Sequence, residues 1–442
     1  MALFIIINSF NICKKEGKYY KMKKVKLEEI LDVKRGASLS GKFYSTKGDK
    51  VRLTLGNFDY PNGGFKKNTS KEDIYFTGPV KKEYILKKGD IITPLTEQVA
   101  GLLGETARIP ENDLYIQSGD IALIIPREKV LDKKFAYYLI SSPIIKKQLG
   151  AAAQQTKIRH TSPDKIKNCE TWIPELTEQR KIASFLDAIN NKIENNIQVN
   201  QELEKLNQII YNYWFIQFDY PNEYGKPYKK SKGKMKWNET LKKNIPINWK
   251  VQNLGKNELT KIIRPGIREF KNEKTYIATR DVDKNKIISG NKITFDNRES
   301  RANMQPCANT VWFAKMKNSI KHIMVGEYSQ KLIEEYIFST GFLGLSCNTN
   351  ISFEYVSCFI NSNFFEIYKN KLAHGATQEA VNNDDIQIIP FIVPEEEVLK
   401  RFHDKTKDIL KKIYLNNQEI KRLKDLREFL IPLLMNGQVK FK

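Results

Sequence analysis

The chain has 442 residues, which is enough for two or three domains with apolar cores of their own. Lysine and arginine number 74 against 51 aspartates and glutamates, and the net charge of +23 favours nucleic acid as a partner over a purely solvated surface charge. The five cysteines are odd in number and lack metal-type spacing, which is typical of a protein in a reducing cytosol and argues against a zinc site.

The first segment, residues 1–21, is predicted to be an N-terminal extension or a misassigned translation start. Its apolar run from Ala2 to Phe10 lacks a basic flank and a cleavage site, and it is too short to span a bilayer. Met22 opens a stretch that is typical of a protein N-terminus. We therefore predict a cytoplasmic protein without a membrane segment, whose first domain begins at Met22.

Residues 22–173 are predicted to form a mixed α/β domain. The stretches from Lys87 to Leu95 and from Tyr115 to Arg127 are typical of strands with Gly-Asp turns, and the stretch from Phe135 to Gly150 is predicted to be one helix. A polar, basic loop and a final strand follow. The run from Gly36 to Phe43 has the glycine and lysine spacing of a phosphate loop, but Phe43 replaces the required Ser or Thr, so no nucleotide site is predicted.

A long amphipathic helix is predicted over residues 174–215. Between Pro174 and Pro221 there is no proline or glycine, and apolar residues recur at spacings of three and four. At ~1.5 Å per residue such a helix spans roughly 60 Å. Its apolar stripe is narrow, so it requires a partner helix with a similar stripe.

The remainder of the chain repeats this order. Residues 216–248 are a basic linker, whose stretch from Lys226 to Lys236 is predicted to be a solvated tether. A second globular domain follows over residues 249–393, then a second long helix over residues 394–435 and a tail over residues 436–442. The two helices therefore supply each other with the partner that each one needs.

A constant shift of 220 aligns the two helices without a gap. Pro174 falls on Pro394 and Asn196 falls on Asn416, so an internal duplication is predicted. The fold class is α+β, with two mixed α/β domains separated by two long antiparallel coiled-coil helices. The predicted seam of the helix pair consists of Ile189, Ile193, Leu203, Leu206, Ile210, Ile409, Ile413, Leu423, Leu426 and Leu430.

The segment between the first helix and the second domain resembles a known family. Its motifs are Trp214-Phe215, Phe218-Asp219-Tyr220-Pro221, Gly225-Lys226-Pro227-Tyr228, Gly233-Lys234-Met235 and Ile245-Pro246 with Trp249. Together with the run from Pro174 to Ala183, they are similar to the DNA-specificity subunits of Type I restriction–modification systems. The second helix departs from this pattern, since Val398 to Phe402 replaces the Glu-Gln-Arg-Lys-Ile run.

The resemblance implies that each globular domain is a target recognition domain that reads one half of a split site in double-stranded DNA. It implies two modification subunits that bring S-adenosylmethionine and adenine methylation. It also implies restriction subunits that bring ATP, Mg and DNA cleavage. No cofactor is expected in this chain. The duplicated domains, the helical spacer and the positive charge agree with this interpretation.

Two corresponding loops carry most of the candidate DNA-binding residues. Glutamine suits adenine edges, arginine suits guanine, and lysine suits phosphate, although each loop could instead be a solvated connection or bind the modification subunit. The candidates in the two loops are Gln154, Gln155, Lys157, Arg159, His160, His374, Thr377 and Gln378. Weaker candidates elsewhere are Lys34, Arg35, Arg264, Arg298 and Arg301.

No catalytic constellation is recognisable in the chain. There is no Asp/Asn-Pro-Pro-aromatic run of an amino-methyltransferase, and the four histidines do not have metal-ligand spacing. We therefore predict a non-enzymatic subunit with no catalytic and no metal-binding residues. Two alternatives are a stand-alone DNA-binding regulator and a coiled-coil scaffold without a DNA role.

Overall fold

A computed structural model of the protein describes residues 10–12, 22–60, 62–97, 101–152 and 159–441. The chain divides into two compact units. Unit 1 consists of Met1–Glu194 and Lys421–Lys442, and unit 2 consists of Asn195–Ile420. Each unit contains a globular α/β body and segments of both long helices, so the predicted α+β class with two mixed domains on two long helices is confirmed.

The described residues contain two long helices and eight short ones. They are α1 (Leu27–Ile30), α2 (Lys133–Ile140), α3 (Pro143–Ala152), α4 (Pro163–Lys167), α5 (Leu176–Tyr211), α6 (Gln330–Glu335), α7 (Phe353–Ile360), α8 (Asn363–Leu372), α9 (Asn383–Ile386) and α10 (Glu396–Met435).

The strands are short, as is usual where turns interrupt the chain often. The first thirteen are β1 (Phe10–Ile12), β2 (Lys23–Lys26), β3 (Leu31–Arg35), β4 (Tyr44–Ser45), β5 (Val51–Arg52), β6 (Tyr75–Phe76), β7 (Ile91–Pro94), β8 (Thr96–Glu97), β9 (Ala107–Arg108), β10 (Tyr115–Ile116), β11 (Ile121–Pro126), β12 (Arg159–His160) and β13 (Glu170–Ile173).

The remaining strands follow the first long helix. They are β14 (Met235–Asn238), β15 (Lys243–Pro246), β16 (Lys250–Asn253), β17 (Thr260–Ile262), β18 (Lys274–Ile277), β19 (Val282–Asp283), β20 (Lys286–Ile287), β21 (Asn291–Ile293), β22 (Ala302–Met304), β23 (Thr310–Ala314), β24 (His322–Val325), β25 (Tyr336–Ser339), β26 (Phe342–Cys347), β27 (Pro390–Val393) and β28 (Val439–Phe441).

Unit 1 is built on the antiparallel sheet β3-β11-β7-β9, in which the two predicted strands β7 and β11 lie side by side. Ile91 and Ile124 face each other across that pair and are both buried. Helices α2 and α3 contribute fully buried side chains to the same core, which also contains residues from α5 and α10 such as Leu186 and Leu430. A second sheet, β10-β5-β6-β4, encloses a smaller apolar cluster.

Unit 2 repeats this plan with β17-β26-β23-β24 as the main sheet and β21-β18-β25-β22 as the second. Each second sheet contains one parallel pair, β5 with β10 and β18 with β25. Under the shift of 220, α2, α3 and β13 coincide residue for residue with α7, α8 and β27. The duplication found in the helices therefore extends through the globular bodies.

The predicted single helix over residues 135–150 is wrong, because the structure contains two helices, α2 and α3, that are separated at Ser141 and Ser142. Pro143 lacks an N–H and disfavours a helical conformation in the residue before it. Unit 2 has the same break between α7 and α8 without a proline. There Ser362 ends one helix by donating to the Phe359 carbonyl at 2.6 Å and caps the next.

The helix pair in unit 2 is held by amides as well as by apolar residues. Asn196 Nδ2 donates to Glu419 Oε2 at 2.7 Å, and Asn416 Nδ2 donates to Asn200 Oδ1 at 2.8 Å. Residue numbers fall along α10 as they rise along α5, so the two helices run antiparallel. In unit 1, Arg427 Nη1 of α10 donates to Asn190 Oδ1 of α5 at 2.8 Å.

Burial along the predicted seam is uneven. Ile189, Ile193 and Leu430 are buried, whereas Leu206 is 46% exposed. The remaining seam residues are partly buried, namely Leu203, Ile210, Ile409, Ile413, Leu423 and Leu426. The seam is thus tight at the end that packs on the globular body of unit 1 and open in part of unit 2.

The stretch from Lys226 to Lys236, predicted from the sequence to be a solvated tether, is part of a folded segment. Tyr228 stacks on Tyr220 with ring centroids 4.7 Å apart, and Tyr220 stacks on Trp249 at 5.1 Å. Strands β14 and β15 then form a hairpin. The lysine side chains point to solvent, but the aromatic stack fixes the backbone that carries them. In the first segment, residues 10–12 pair with β28, and the question of the translation start stays a prediction.

Candidate nucleic-acid interface

In unit 1 the predicted DNA-facing loop ends on β12, which pairs antiparallel with β8. Arg159 faces Glu97 and His160 faces Thr96 in that pair. The His160 side chain is exposed. The other candidates of this loop, Gln154, Gln155 and Lys157, lie outside the described residues.

Glu97 is a functional candidate that the sequence analysis missed. Its side chain is 1% exposed, and Oε2 accepts hydrogen bonds from the amides of Leu102 at 2.7 Å and Leu103 at 3.0 Å. Its Oε1 lies 3.6 Å from Arg159 Nη1, whose side chain is 39% exposed. A buried, anchored carboxylate therefore faces a guanidinium that reaches solvent.

In unit 2 the corresponding residues form a tight hairpin, in which His374 and Ala380 exchange backbone hydrogen bonds. Gly375 has a φ of +131°, and a Cβ there would lie 2.7 Å from the Gln378 carbonyl, so only glycine fits. The His374, Thr377 and Gln378 side chains are all exposed on this hairpin. The structure thus brings three of the predicted candidates together.

A cross-strand ion pair closes the base of the same hairpin. Lys317 Nζ lies 2.8 Å from Glu379 Oε2, and both side chains are partly exposed. The residues after Lys317 are fixed by α8, because Asn370 Oδ1 accepts from Asn318 N at 2.8 Å and Lys369 Nζ donates to Ser319 O at 2.8 Å. Sequence analysis also missed this pair.

The remaining candidate cations are scattered. Lys34 and Arg35 lie at the exposed end of β3, and Arg35 Nε donates to Gly119 O at 2.7 Å. Arg264 and Arg301 are exposed near the ends of β17 and β22. The Arg298 guanidinium lies 3.7 Å from the centre of the Phe295 ring and donates to the Phe295 carbonyl, so it is engaged within its own turn.

The described part of the chain contains no group of three or more His, Cys, Asp or Glu side chains arranged to hold a metal ion. Two histidines are engaged with buried carboxylates: His322 Nε2 lies 3.1 Å from Glu366 Oε1, and His403 Nδ1 lies 2.7 Å from Glu354 Oε2. None of the described helices is long and apolar enough to cross a membrane.

Comparison with known proteins shows what this chain is similar to. Residues 19–205 match the family model described as the Type I restriction modification DNA specificity domain. The chain is 24% identical over 364 residues to the Type I restriction enzyme MjaIX specificity subunit of Methanocaldococcus jannaschii, across 75% of this chain and 74% of the relative. It is 21% identical over 427 residues to the HindI specificity subunit of Haemophilus influenzae, across 82% and 89%.

These similarities support an S subunit, the DNA-specificity subunit of a Type I restriction–modification system. The fold agrees, since the crystal structure of the S subunit from M. genitalium superposes with a TM-score of 0.58 at 15% identity, over 96% of this chain and 98% of that one. Specificity subunits are non-catalytic components of these systems.

Proposed function

We propose that this specificity subunit reads a split site in double-stranded DNA, with one half-site bound by each unit. The observation that carries the proposal is the repetition of the same loop-bearing sheet edge in both units, each with exposed polar or cationic side chains suited to base edges. The net charge of +23 supports a polyanionic partner. The chain itself supplies recognition and no chemistry.

The chemistry would lie in partner subunits. Two modification subunits would carry S-adenosylmethionine and transfer its methyl group to adenine, and restriction subunits would carry ATP and Mg. This proposal is supported by the similarity to specificity subunits. It also fits the duplicated units, because a duplicated surface offers two equivalent docking positions.

The test is a gel shift on a DNA fragment that contains the methylated motif of the host, with this chain alone and with its modification subunit. We expect a sequence-specific shift from the assembled complex. A specific shift from the chain alone at the same affinity would indicate a stand-alone regulator instead. A complex that shifts motif and scrambled DNA equally would contradict the proposed function and favour a scaffold.

The exposed apolar residues of the helix pair offer a docking position for a modification subunit. In unit 2, Ile209 is 64% exposed, Leu206 46% and Leu415 49%. An open groove in the same unit, which includes Leu415, is lined by Leu203, Asp408, Ile409, Lys411, Lys412 and Leu415. Exposed leucine and isoleucine on a helix face are costly in water, so a partner that covers them gains affinity.

We expect Ile209→Asp to reduce co-purification of the modification subunit by about tenfold or more, because a charge would be buried at the centre of an apolar contact. The thermal unfolding temperature of the free chain should not change, since Ile209 is exposed. Gln201→Asp on the same helix, also at an exposed position, is the matched control. Undiminished co-purification would place the docking surface elsewhere.

A further inference from the structure

The shift of 220 also relates the strand pairing beside the candidate loop of unit 1 to the strand pairing beside the hairpin of unit 2. Thr161 N donates to Leu95 O at 2.9 Å in unit 1, and Val381 N donates to Lys315 O at 3.0 Å in unit 2. Adding 220 to the numbers of Thr161 and Leu95 gives Val381 and Lys315, so the two hydrogen bonds are equivalent. Glu97 lies two positions after Leu95, and Arg159 lies two positions before Thr161. The same shift relates Glu97 to Lys317 and Arg159 to Glu379.

Each of these positions forms an ion pair across the two strands, but the signs are exchanged. In unit 1 the carboxylate is on the strand before the loop and the guanidinium is on the strand after it. In unit 2 the ammonium of Lys317 is on the strand before the hairpin, and the carboxylate of Glu379 is on the second strand of the hairpin itself. The attraction between the strands is equal for either polarity. Polarity therefore changes only which strand presents the cation.

The surroundings of Arg159 favour a role for this cation outside its pair, and in unit 2 both Lys317 and Glu379 reach solvent. Glu97 is nearly inaccessible and anchored by two amides, so Arg159 is the member of its pair that a ligand can reach. Lys317 is 36% exposed and precedes Asn318, whose backbone is fixed by α8. A cation held by a carboxylate is ordered before binding, which lowers the entropy lost when it contacts a base edge.

We infer that the cation of each pair contacts the DNA bases of its half-site, an inference that rests on the proposed function. Arg159 contacts the first half-site from the strand that follows the loop of unit 1. Lys317 contacts the second half-site from the strand that precedes the hairpin of unit 2. Both cations suit the O6 and N7 acceptors of guanine in the major groove. Glu97 and Glu379 are positioning residues, which fix the cation without touching DNA.

The decisive experiment reverses one pair while keeping the attraction. Lys317→Glu combined with Glu379→Arg gives unit 2 the polarity of unit 1. We expect the assembled complex of this variant to methylate a motif changed in one half-site, with discrimination at the affected base pair altered about tenfold to a hundredfold. The other half-site should remain unchanged. Sequencing of methylated adenines in host DNA gives both halves at once.

Two further variants complete the test. Lys317→Arg with Glu379→Asp keeps the polarity and should keep guanine as the preferred base in that half-site. Glu97→Gln should relax the first half-site alone, while binding to non-specific DNA and the unfolding temperature stay close to those of the unaltered complex. If Glu97 only stabilised the fold, Glu97→Gln would change the unfolding temperature and leave the methylated motif intact.

The outcomes separate this inference from the proposed function. A reversed pair that methylates the original motif, in a folded and assembled complex, would overturn the inference and leave the function standing. An unaltered complex that shows no split motif would overturn the function itself. A change in both half-sites would also contradict the inference, because it requires each pair to act within its own unit.

Discussion

Lys369→Met should lower the free energy of unfolding by about 3–5 kcal/mol, one of the largest single-residue effects expected in unit 2. The Lys369 side chain is fully buried, and Nζ donates to Glu366 Oε1 at 2.9 Å and to Ser319 O at 2.8 Å. Burial raises the pKa of Glu366, but hydrogen bonds from His322 and Lys369 outweigh that effect and hold the pKa below its usual value. Removing the lysine leaves a buried carboxylate without its main counterion.

Urea-induced unfolding of the full chain, followed by tryptophan fluorescence, measures this loss. Lys317→Met is the matched control, since Lys317 forms a partly exposed ion pair in the same unit and should cost less than about 1 kcal/mol. The double variant Glu366→Leu with Lys369→Met should unfold closer to the unaltered protein, because apolar replacement removes the uncompensated charge. Equal stabilities for Lys369→Met and Lys317→Met would show that burial of this cluster contributes nothing.

The same cluster links the stability of unit 2 to recognition. Lys369 fixes the carbonyl of Ser319, and its neighbour Asn370 fixes the amide of Asn318. Both contacts hold the turn that follows Lys317. The variant should therefore also weaken discrimination in the second half-site at temperatures where unit 2 is still folded.

The sequence predicted the elements that are governed by local periodicity. The long helices follow from spacings of three and four, and strands β7 and β11 follow from apolar runs between Gly-Asp turns. The fold class and the duplication are confirmed for the same reason, because a shift without gaps preserves every local signal. The break between α7 and α8 was not predictable in this way, since Ser362 acts through a cap that competes with an otherwise helical pattern.

The two cross-strand ion pairs escaped prediction because their members are far apart in the chain. Glu97 and Arg159 are brought together only by the pairing of β8 with β12. A usable signal was nevertheless present. The shift of 220 that aligns the helices also relates Glu97 to Lys317 and Arg159 to Glu379, so an acid falls on a base at both positions. Such an exchange of charge at two equivalent positions indicates that the two positions are in contact.

For the helix seam, the sequence predicted the residues but not their burial. Apolar spacing predicted ten seam residues, but spacing cannot tell which part of a helix is covered by its own chain. Asn196 and Asn416 were noted only as matching residues, whereas the structure places them in a buried amide network. Leu206 keeps the seam spacing and stays exposed, which is consistent with a position reserved for a partner.

Exchanging Val25–Trp172 for the equivalent domain of a relative should change one half of the methylated motif completely and leave the other half intact. The ends of this segment lie on paired strands, since Val25 faces Thr171 and Lys24 faces Trp172 in the β2–β13 ladder. A segment whose ends are adjacent can be replaced without altering the path of the rest of the chain. Sequencing of methylated adenines in host DNA reports both halves of the motif.

The exchange must respect the polar contacts that cross its boundary within unit 1, among them those of the buried Asp187 side chain. Asp187 stays in the recipient, where its Oδ1 accepts from Arg108 Nη1 at 2.7 Å and from Tyr138 OH at 2.6 Å. A donor domain that lacks both partners would leave a buried carboxylate unpaired, at a cost of about 3–5 kcal/mol. A matched pair of chimaeras, with and without these two side chains, should therefore share one new motif and differ in stability. A chimaera altered in both halves would show that the two units read their site jointly.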